Sequence, residues 1–477
     1  MSPSIGLPPG PRVQRLRDVV EWVWRPIDFL ERNRRLYGES FTVRALPSRP
    51  PIVWLGEPDA IRDVFAAGDD TVRAGEAKGY SRAVVGRDSV LVLDGEEHRR
   101  QRRLMLPAFH GDRVRAHAEI MRAAAARAVD RWAEGSEVRL LDTMQAIALD
   151  VMLRAVFGVE NDATHARFSE LLRALMHRGS SSLLFGLAAL LGASRVAAAA
   201  SAASRSLRLG PLRILPDVMI PGRQIVRLLA EVDALIYAEL AARRATLGPE
   251  PGRDVLSLLM AARDDSGSAL GDVELRDELM TLLLAGHETT AITMAWALHH
   301  LMAAPAVLAR LRAELASVAR GGDWGKSLTA LPYLDAVVNE TMRLTPVVPL
   351  VGRVVQRAAS FGRYQVPAGM MVAPSIWLVH HRDDLYPEPD RFRPERFLER
   401  TPAPHEFFPF GGGLRRCVGA AFAILEVKIV LAEVLSRVSL SPAGPSVKPV
   451  RRGISFAPSG GVRVRVGSGP RLAGSRQ

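Results

Sequence analysis

The sequence has a single cysteine, Cys417, among 477 residues. One cysteine excludes an intramolecular disulfide, a cysteine-rich zinc site and a cysteine-ligated iron–sulfur cluster. Long hydrophobic runs are also missing, because the most apolar stretch, residues 183–193, is far shorter than the ~20 residues that a membrane-spanning helix needs. The N-terminus lacks the apolar segment and cleavage pattern of a secretory signal. We therefore expect a soluble, cytoplasmic protein with no membrane span.

Aromatic residues and lysines are scarce: aromatics make up 6% of the chain, and only four of the 63 basic residues are lysines. The net charge of +12 would attract acidic partners, but the arginines are scattered along the chain. A surface that binds nucleic acid needs a basic stripe with stacking aromatic residues, so we expect no nucleic-acid partner. The hydrophobic share of 48% is enough for a large buried core.

The spacing of apolar residues predicts a mainly α chain with a minor β part. Between residues 108 and 320, Ala, Leu, Arg and Glu recur at three- and four-residue spacing, which is typical of amphipathic helices. Strands are predicted at 51–56, within 354–374 and at 461–467. Because no repeat or linker interrupts the sequence, we expect one domain over residues 1–477 with no fused redox domain.

Cys417 lies between a glycine-rich loop and an apolar helical run. Residues 411–413 are glycines, and Gly419 follows the cysteine. Glycine allows close backbone approach to another group, while a helix N-terminus beside Arg415 and Arg416 favours a thiolate. These conditions suit a metal-bound thiolate whose charge is moderated by hydrogen bonds. For a lone cysteine, the alternative is a small apolar side chain in the core.

This loop resembles the haem-binding loop of the cytochromes P450, Phe-x-x-Gly-x-Arg-x-Cys-x-Gly, over residues 410–419. The matching residues, with Gly411 inside the same loop, are Phe410, Gly413, Arg415, Cys417 and Gly419. The resemblance implies that this loop holds haem b, with the Cys417 thiolate as the iron ligand that favours O–O cleavage. It also implies the fold of the family, in which the haem is buried between a long distal helix and the helix after the cysteine loop.

A long apolar helix is predicted over residues 277–302, with Ala285, Gly286, Glu288 and Thr289 near its centre. Glycine inside a helix lowers helix stability by about 1 kcal/mol relative to alanine. A buried carboxyl or hydroxyl group needs a hydrogen-bond partner. We expect the helical hydrogen-bond ladder to open locally so that a ligand can approach; plain core is the alternative. The segment resembles the oxygen-activation helix of the family. That resemblance implies a catalytic proton relay through Glu288 and Thr289, with Ala285 and Gly286 lining the oxygen site.

His98 and Arg102 lie four residues apart and share one face of a predicted helix. A solvated basic helix is the alternative interpretation of this segment. The segment resembles the family's haem-propionate helix, and Arg353 and Arg415 match two further propionate-binding positions. All four residues are therefore expected to bind the cofactor.

A Glu-x-x-Arg pair, Glu340 and Arg343, is followed by Arg396 in "FRPERF". Most such pairs are solvated ion pairs on a surface. In the family, the corresponding residues form a buried network that holds the irregular segment before the cysteine loop. The implied role is structural rather than catalytic.

The implied substrate pocket is largely aliphatic. Its walls are expected from about residues 73–93, 183–223, 285–289 and 345–351, with Val347, Val348, Leu350 and Val351 near the haem. An apolar small molecule is therefore the expected substrate, with a fatty acid first and a terpenoid or a polyketide (macrolide) as alternatives. A non-oxygenase haem protein on the same fold is the alternative from another class, and the presence of Glu288 and Thr289 disfavours it.

The resemblance implies a monooxygenase that hydroxylates or epoxidises its substrate with electrons supplied from outside. No bound flavin or iron–sulfur cluster is expected. A separate ferredoxin or flavodoxin with its NAD(P)H-driven reductase is the implied partner, docking on a basic face to which Arg99, Arg100 and Arg103 contribute. We expect a monomer. Because only six residues precede the "LPPGP" stretch at Leu7, we also expect no N-terminal anchor.

Overall fold

The structure is a computed structural model, and it describes residues 6–44 (without 12, 14 and 15), 50–159, 161–179, 221–246, 252–318 and 324–469. The pocket wall predicted over 183–223 lies outside the described residues as far as position 220.

Helices dominate the described chain, as the apolar spacing predicts. In chain order they are α1 (Leu16–Trp24), α2 (Pro26–Tyr37), α3 (Pro58–Ala66), α4 (Ala74–Ala77), α5 (Arg82–Val85), α6 (Gly95–Met105), α7 (Asp112–Arg115), α8 (Ala118–Val129), α9 (Leu140–Val151), α10 (Asp162–Gly179), α11 (Pro221–Thr246), α12 (Val255–Ala261), α13 (Asp272–Ala303), α14 (Pro305–Ala316), α15 (Trp324–Thr329), α16 (Pro332–Leu344), α17 (Ile376–His380), α18 (Arg396–Glu399) and α19 (Ala420–Arg437).

The strands form small sheets. They are β1 (Phe41–Val43), β2 (Ile52–Leu55), β3 (Val72–Arg73), β4 (Glu137–Arg139), β5 (Arg353–Val355), β6 (Ala359–Phe361), β7 (Tyr364–Val366), β8 (Met371–Pro374), β9 (Ser439–Pro442), β10 (Pro449–Arg452), β11 (Ser455–Pro458) and β12 (Arg463–Gly467). The largest sheet has the order β1-β2-β8-β5-β3, and β2 and β8 are parallel. The other groups are β4-β12-β9, β10-β11 and β6-β7. The mainly α fold with a minor β part is confirmed.

The sequence pattern misses β4, which pairs with β12 so that Val138 lies opposite Val464. A strand of three residues is too short to show a period of two, and its pairing partner lies at the far end of the chain.

The long helix α13 runs through the middle of the helical core, where it packs along α9 and also contacts α19 and α16. It begins before the predicted residue 277, because Glu274 Oε2 accepts the Gly271 N–H at 2.8 Å and so caps the first turn. In the described part of the chain, no single helix is long and apolar enough to cross a membrane; only the bent pair α13 and α14 meets the length and composition criteria together.

Candidate active site

The cysteine loop is a tight turn that requires glycine. The Cys417 N–H donates to Phe410 O at 3.0 Å, which folds the loop back on itself. Gly413 has a φ of +63°, and a Cβ there would lie 2.3 Å from the Phe65 carbonyl oxygen. Any other residue at this position would be strained and would clash with backbone, so the glycine fixes the path of the chain toward Cys417.

The Cys417 side chain is solvent-accessible, yet burial raises the pKa of its thiol. Accessible surface and dense surrounding protein occur together where a side chain lines an internal cavity. The Gly419 N–H donates to the sulfur and, with Lys78 and Arg102, acts to lower the same pKa. The sulfur is therefore directed into an enclosed space, where burial disfavours a free thiolate and a bound metal would stabilise one.

Ala285 and Thr289 lie one turn apart on the same face of α13. Ala285 is exposed although the helix around it is mostly buried, so the helix borders a cavity at this point. The Thr289 hydroxyl donates to Ala285 O at 2.7 Å. A small side chain and a hydroxyl are thus the groups that α13 presents there.

The expected opening of the hydrogen-bond ladder in α13 is wrong, because the helix is continuous from Asp272 to Ala303. The hydroxyls of Thr289 and Thr290 donate to the carbonyls four residues earlier, which adds hydrogen bonds without breaking the helix. Gly286 has a packing reason of its own: a Cβ there would lie 2.8 Å from Met152 Cε. Met152 starts a π-helical turn, Met152–Val156, so the irregular backbone lies in the neighbouring helix.

Glu288 points away from Ala285, toward β10. Its Oε1 is 2.9 Å from Arg452 Nε, but the two groups are poorly aligned for a hydrogen bond. Burial raises the pKa of the Glu288 carboxyl, and the Arg452 charge opposes that rise. The acid and the alcohol are thus adjacent in sequence but contact different neighbours.

The predicted propionate-binding residues converge on a buried cationic cluster together with a fifth residue, Lys78. Burial and Arg415 lower the pKa of Arg353 to about 10, and burial with Arg415 and Arg102 lowers that of His98 to about 3. Burial, with repulsion from neighbouring cations, thus disfavours the charged forms of Lys78, Arg353 and Arg415, and His98 lies beside them as a neutral side chain.

Two polar atoms of this cluster, His98 Nδ1 and Arg415 Nε, are buried with no hydrogen-bond partner among the described residues. Among the described residues only Arg415 of these cations has a carboxylate partner, so the cluster needs further anionic partners. The two carboxylates of haem would supply them beside an accessible sulfur. The residues present therefore fit haem.

Asp94, which the motif analysis misses, organises this cluster. Its carboxylate accepts the backbone N–H groups of α4 from Ala74, Gly75 and Glu76 at 2.8–3.0 Å. It also pairs with Arg415. One side chain thus ties α4 to the cysteine loop. These contacts join positions far apart in the chain, so no local pattern could have indicated them.

Glu340, Arg343 and Arg396 meet in one buried network. Arg343 is fully buried and donates to Glu340 at 2.7 and 3.0 Å, while Arg396 donates to the same carboxylate at 3.1 Å. Arg343 and Arg396 also donate to backbone carbonyls within residues 387–391. The network therefore joins α16 to the irregular segment that precedes the cysteine loop.

The four aliphatic residues predicted near the haem are half-buried but differ in their surroundings. Val347 and Leu350 pack against the hydrophobic core, and Val351 Cγ1 lies 3.4 Å from the Cβ position of Gly411. Val348 packs against none of the core clusters in the described part of the chain. Of the four residues, Val348 is thus the one whose aliphatic side chain is not explained by packing in a hydrophobic core.

The three arginines assigned to a basic docking face all carry acidic partners. Arg99 pairs with Asp69 and Glu96, Arg100 with Asp264 and Glu274, and Arg103 with Asp265. Their charge is therefore largely compensated. The exposed Arg416, beside the cysteine, has no carboxylate partner within the described residues, so it is the better source of local positive charge.

Comparison with known proteins identifies the family. The sequence profile described as Cytochrome P450 matches residues 6–191 and 198–461. Cytochrome P450 135B1 of Mycobacterium tuberculosis is 37% identical over 470 residues, covering 97% of this chain and 92% of the relative. Cytochrome P450 135A1 of the same organism is 34% identical over 473 residues, with coverage of 99% and 97%.

Solved structures share the fold. Retinoic acid-bound cyanobacterial CYP120A1 superposes with a TM-score of 0.78 at 24% identity, covering 98% of this chain and 100% of that chain. The cytochrome P450DA heme domain has a TM-score of 0.80 at 22% identity, with 98% of each chain covered. At these identities the likeness shows the fold alone.

Proposed function

The chain belongs to the cytochrome P450 family and is a haem-dependent monooxygenase, and we propose that its substrate is an apolar carboxylic acid, with a fatty acid as the first choice. The observation that carries the haem site is the Cys417 sulfur, which opens into an enclosed space beside a cationic cluster, whereas the substrate class rests on the apolar character of the expected pocket.

In this proposal Cys417 binds the haem iron, and His98, Arg102, Arg353 and Arg415 bind the two haem carboxylates. Haem supplies the oxygen-activating chemistry when it is bound. The chain moderates the thiolate charge, because the Gly419 N–H donates to the sulfur.

Proton delivery is proposed to use Thr289 and Glu288. The Thr289 hydroxyl lies on the cavity face of α13, where its oxygen can accept a hydrogen bond from a water and hold that water for proton transfer, while its own proton stays on Ala285 O. Glu288 lies behind it, and its raised pKa favours a carboxyl that holds a proton. Arg452 would limit how firmly that proton is held.

The fatty-acid assignment rests on the apolar character of the expected pocket, of which Val348 is the described residue without core packing. The printed name of CYP120A1 records that it binds retinoic acid, so this fold can hold an apolar chain that bears a carboxylate. Two electrons per turnover are proposed to come from a separate ferredoxin or flavodoxin that docks near the exposed Arg416.

An optical titration of the ferric protein tests this function. Medium- and long-chain fatty acids, terpenes and macrolides would be added separately. The proposal predicts a saturable shift of the Soret band toward the high-spin form with fatty acids. A shift with terpenes or macrolides alone would contradict the substrate, and a protein without a Soret band would contradict the haem.

A further inference from the structure

Lys78 follows the short helix α4 as its C-terminal cap, and backbone hydrogen bonds fix its position. Its N–H donates to Gly75 O at 3.0 Å, and its carbonyl accepts both the N–H and the hydroxyl of Ser81 at 2.9 and 2.8 Å. Asp94 holds the other end of α4. The direction in which the Lys78 side chain leaves this corner is therefore set by hydrogen bonds that do not involve its ammonium group.

Lys78 is half-buried beside the cationic cluster. Burial, followed by the repulsion of Arg353 and Arg415, lowers the pKa of Lys78 to about 7. The Cys417 thiol and the Asp94 carboxylate act to raise this pKa, but Asp94 already binds Arg415 and three backbone N–H groups. No side-chain hydrogen bond or ion pair of Lys78 occurs within the described residues.

A buried lysine elsewhere in the chain, Lys428, is paired with a carboxylate. Lys428 on α19 is 3% exposed, and its Nζ lies 2.9 Å from Asp335 Oδ1. An enclosed lysine is costly unless an anion pairs with it, and Lys428 has one in the protein. Lys78 lies instead at the end of α4, which Asp94 joins to Arg415, and Arg353 and Arg415 are the charges that lower its pKa most. An anionic group on a bound ligand would supply the ion pair that the Lys78 ammonium group lacks within the described residues.

We propose that Lys78 binds one of the two haem carboxylates, as a further cation beside Arg353 and Arg415. The inference rests on the proposed haem site and adds a residue that the haem-loop and propionate motifs do not include. Because the side chain leaves α4 at a fixed corner, the contact would also hold α4 against the edge of the cofactor. A substrate carboxylate is the competing anion, and the experiment separates the two.

The test is the rate at which the holoenzyme loses haem to an excess of apomyoglobin. A hydrogen bond between charged groups contributes about 1.5–3 kcal/mol, so Lys78→Gln is expected to lose haem roughly 10- to 100-fold faster. Lys78→Arg keeps the charge and is expected to restore most of the retention. Lys448→Gln changes an exposed lysine and serves as the matched control, with an unchanged rate.

The midpoint potential gives a readout that a purely structural role would not move. Loss of a cation beside the haem disfavours the added electron, so Lys78→Gln is expected to shift the potential to more negative values, and Lys78→Arg to restore it. Equal haem-loss rates and potentials in the wild type and Lys78→Gln would overturn the inference. Weaker fatty-acid binding with unchanged haem loss would overturn it in favour of a substrate contact. A wild-type protein without a Soret band would instead refute the proposed function.

Discussion

Glu426 on α19 gives a quantitative prediction, because it is a buried acid with no role in the proposed chemistry. It is 1% exposed, and its Oε1 has no hydrogen-bond partner in the described part of the chain. Burial raises the pKa of its carboxyl from 4.5 to about 8. Each pKa unit corresponds to about 1.4 kcal/mol. The shift of Glu426 therefore changes the free energy of unfolding by at most about 4–5 kcal/mol across this pH range.

The sign follows from proton binding. Between the two pKa values the folded protein holds a proton on Glu426 that the unfolded chain releases, so stability falls as pH rises from about 4.5 to about 8. Glutamine at this position resembles protonated Glu426, so the stability of Glu426→Gln should not fall in this way as the pH rises. The variant should match the wild type near the lower pH and exceed it increasingly up to about pH 8, where the difference levels off.

The measurement is the thermal midpoint of the holoenzyme across this pH range. For a chain of this length, 1 kcal/mol of stability corresponds to about 1 °C in the thermal midpoint. Near pH 8 the midpoint of Glu426→Gln should therefore exceed that of the wild type by about 4 °C. Glu134→Gln, at an exposed acid with no ion pair among the described residues, is the control and should follow the wild type. A gain that does not depend on pH, or a loss that grows with pH, would refute the reasoning.

Two further substitutions test the site. Glu340→Gln leaves Arg343 and Arg396 without their shared carboxylate, so the holoenzyme should lose about 3–5 kcal/mol and a similar number of degrees in its thermal midpoint; an unchanged midpoint would mean that the network carries little stability. Thr289→Ala removes the cavity-facing hydroxyl. It should lower product formed per NAD(P)H and increase released hydrogen peroxide, and unchanged coupling would exclude Thr289 from proton delivery.

The parts of the site that could be predicted from the sequence are those whose reasons are local. Gly413 and Cys417 belong to one tight loop, so their spacing alone indicates a chain that curls around a thiol. Ala285 and Thr289 lie one helical turn apart, and the helical period brings them onto one face. Each of these features is set within a few residues, and a spacing pattern records such features well.

The parts that could not be predicted depend on tertiary contacts. Asp94 caps α4 and pairs with Arg415, which lies in a distant part of the chain. The spacing around Gly286 predicts an opened helix, whereas the glycine accommodates Met152 of a neighbouring segment. Lys78 is one of few lysines, but only the assembled fold shows that cations surround it.

The measurement that tests the account most directly is the optical spectrum of the reduced carbon monoxide complex of the wild type and of Cys417→Ser. We predict a thiolate-type Soret band in the wild type and its loss in the variant, since Cys417 carries the only thiol in the sequence. The same thiolate-type band in both proteins, or no Soret band in the wild type, would contradict it.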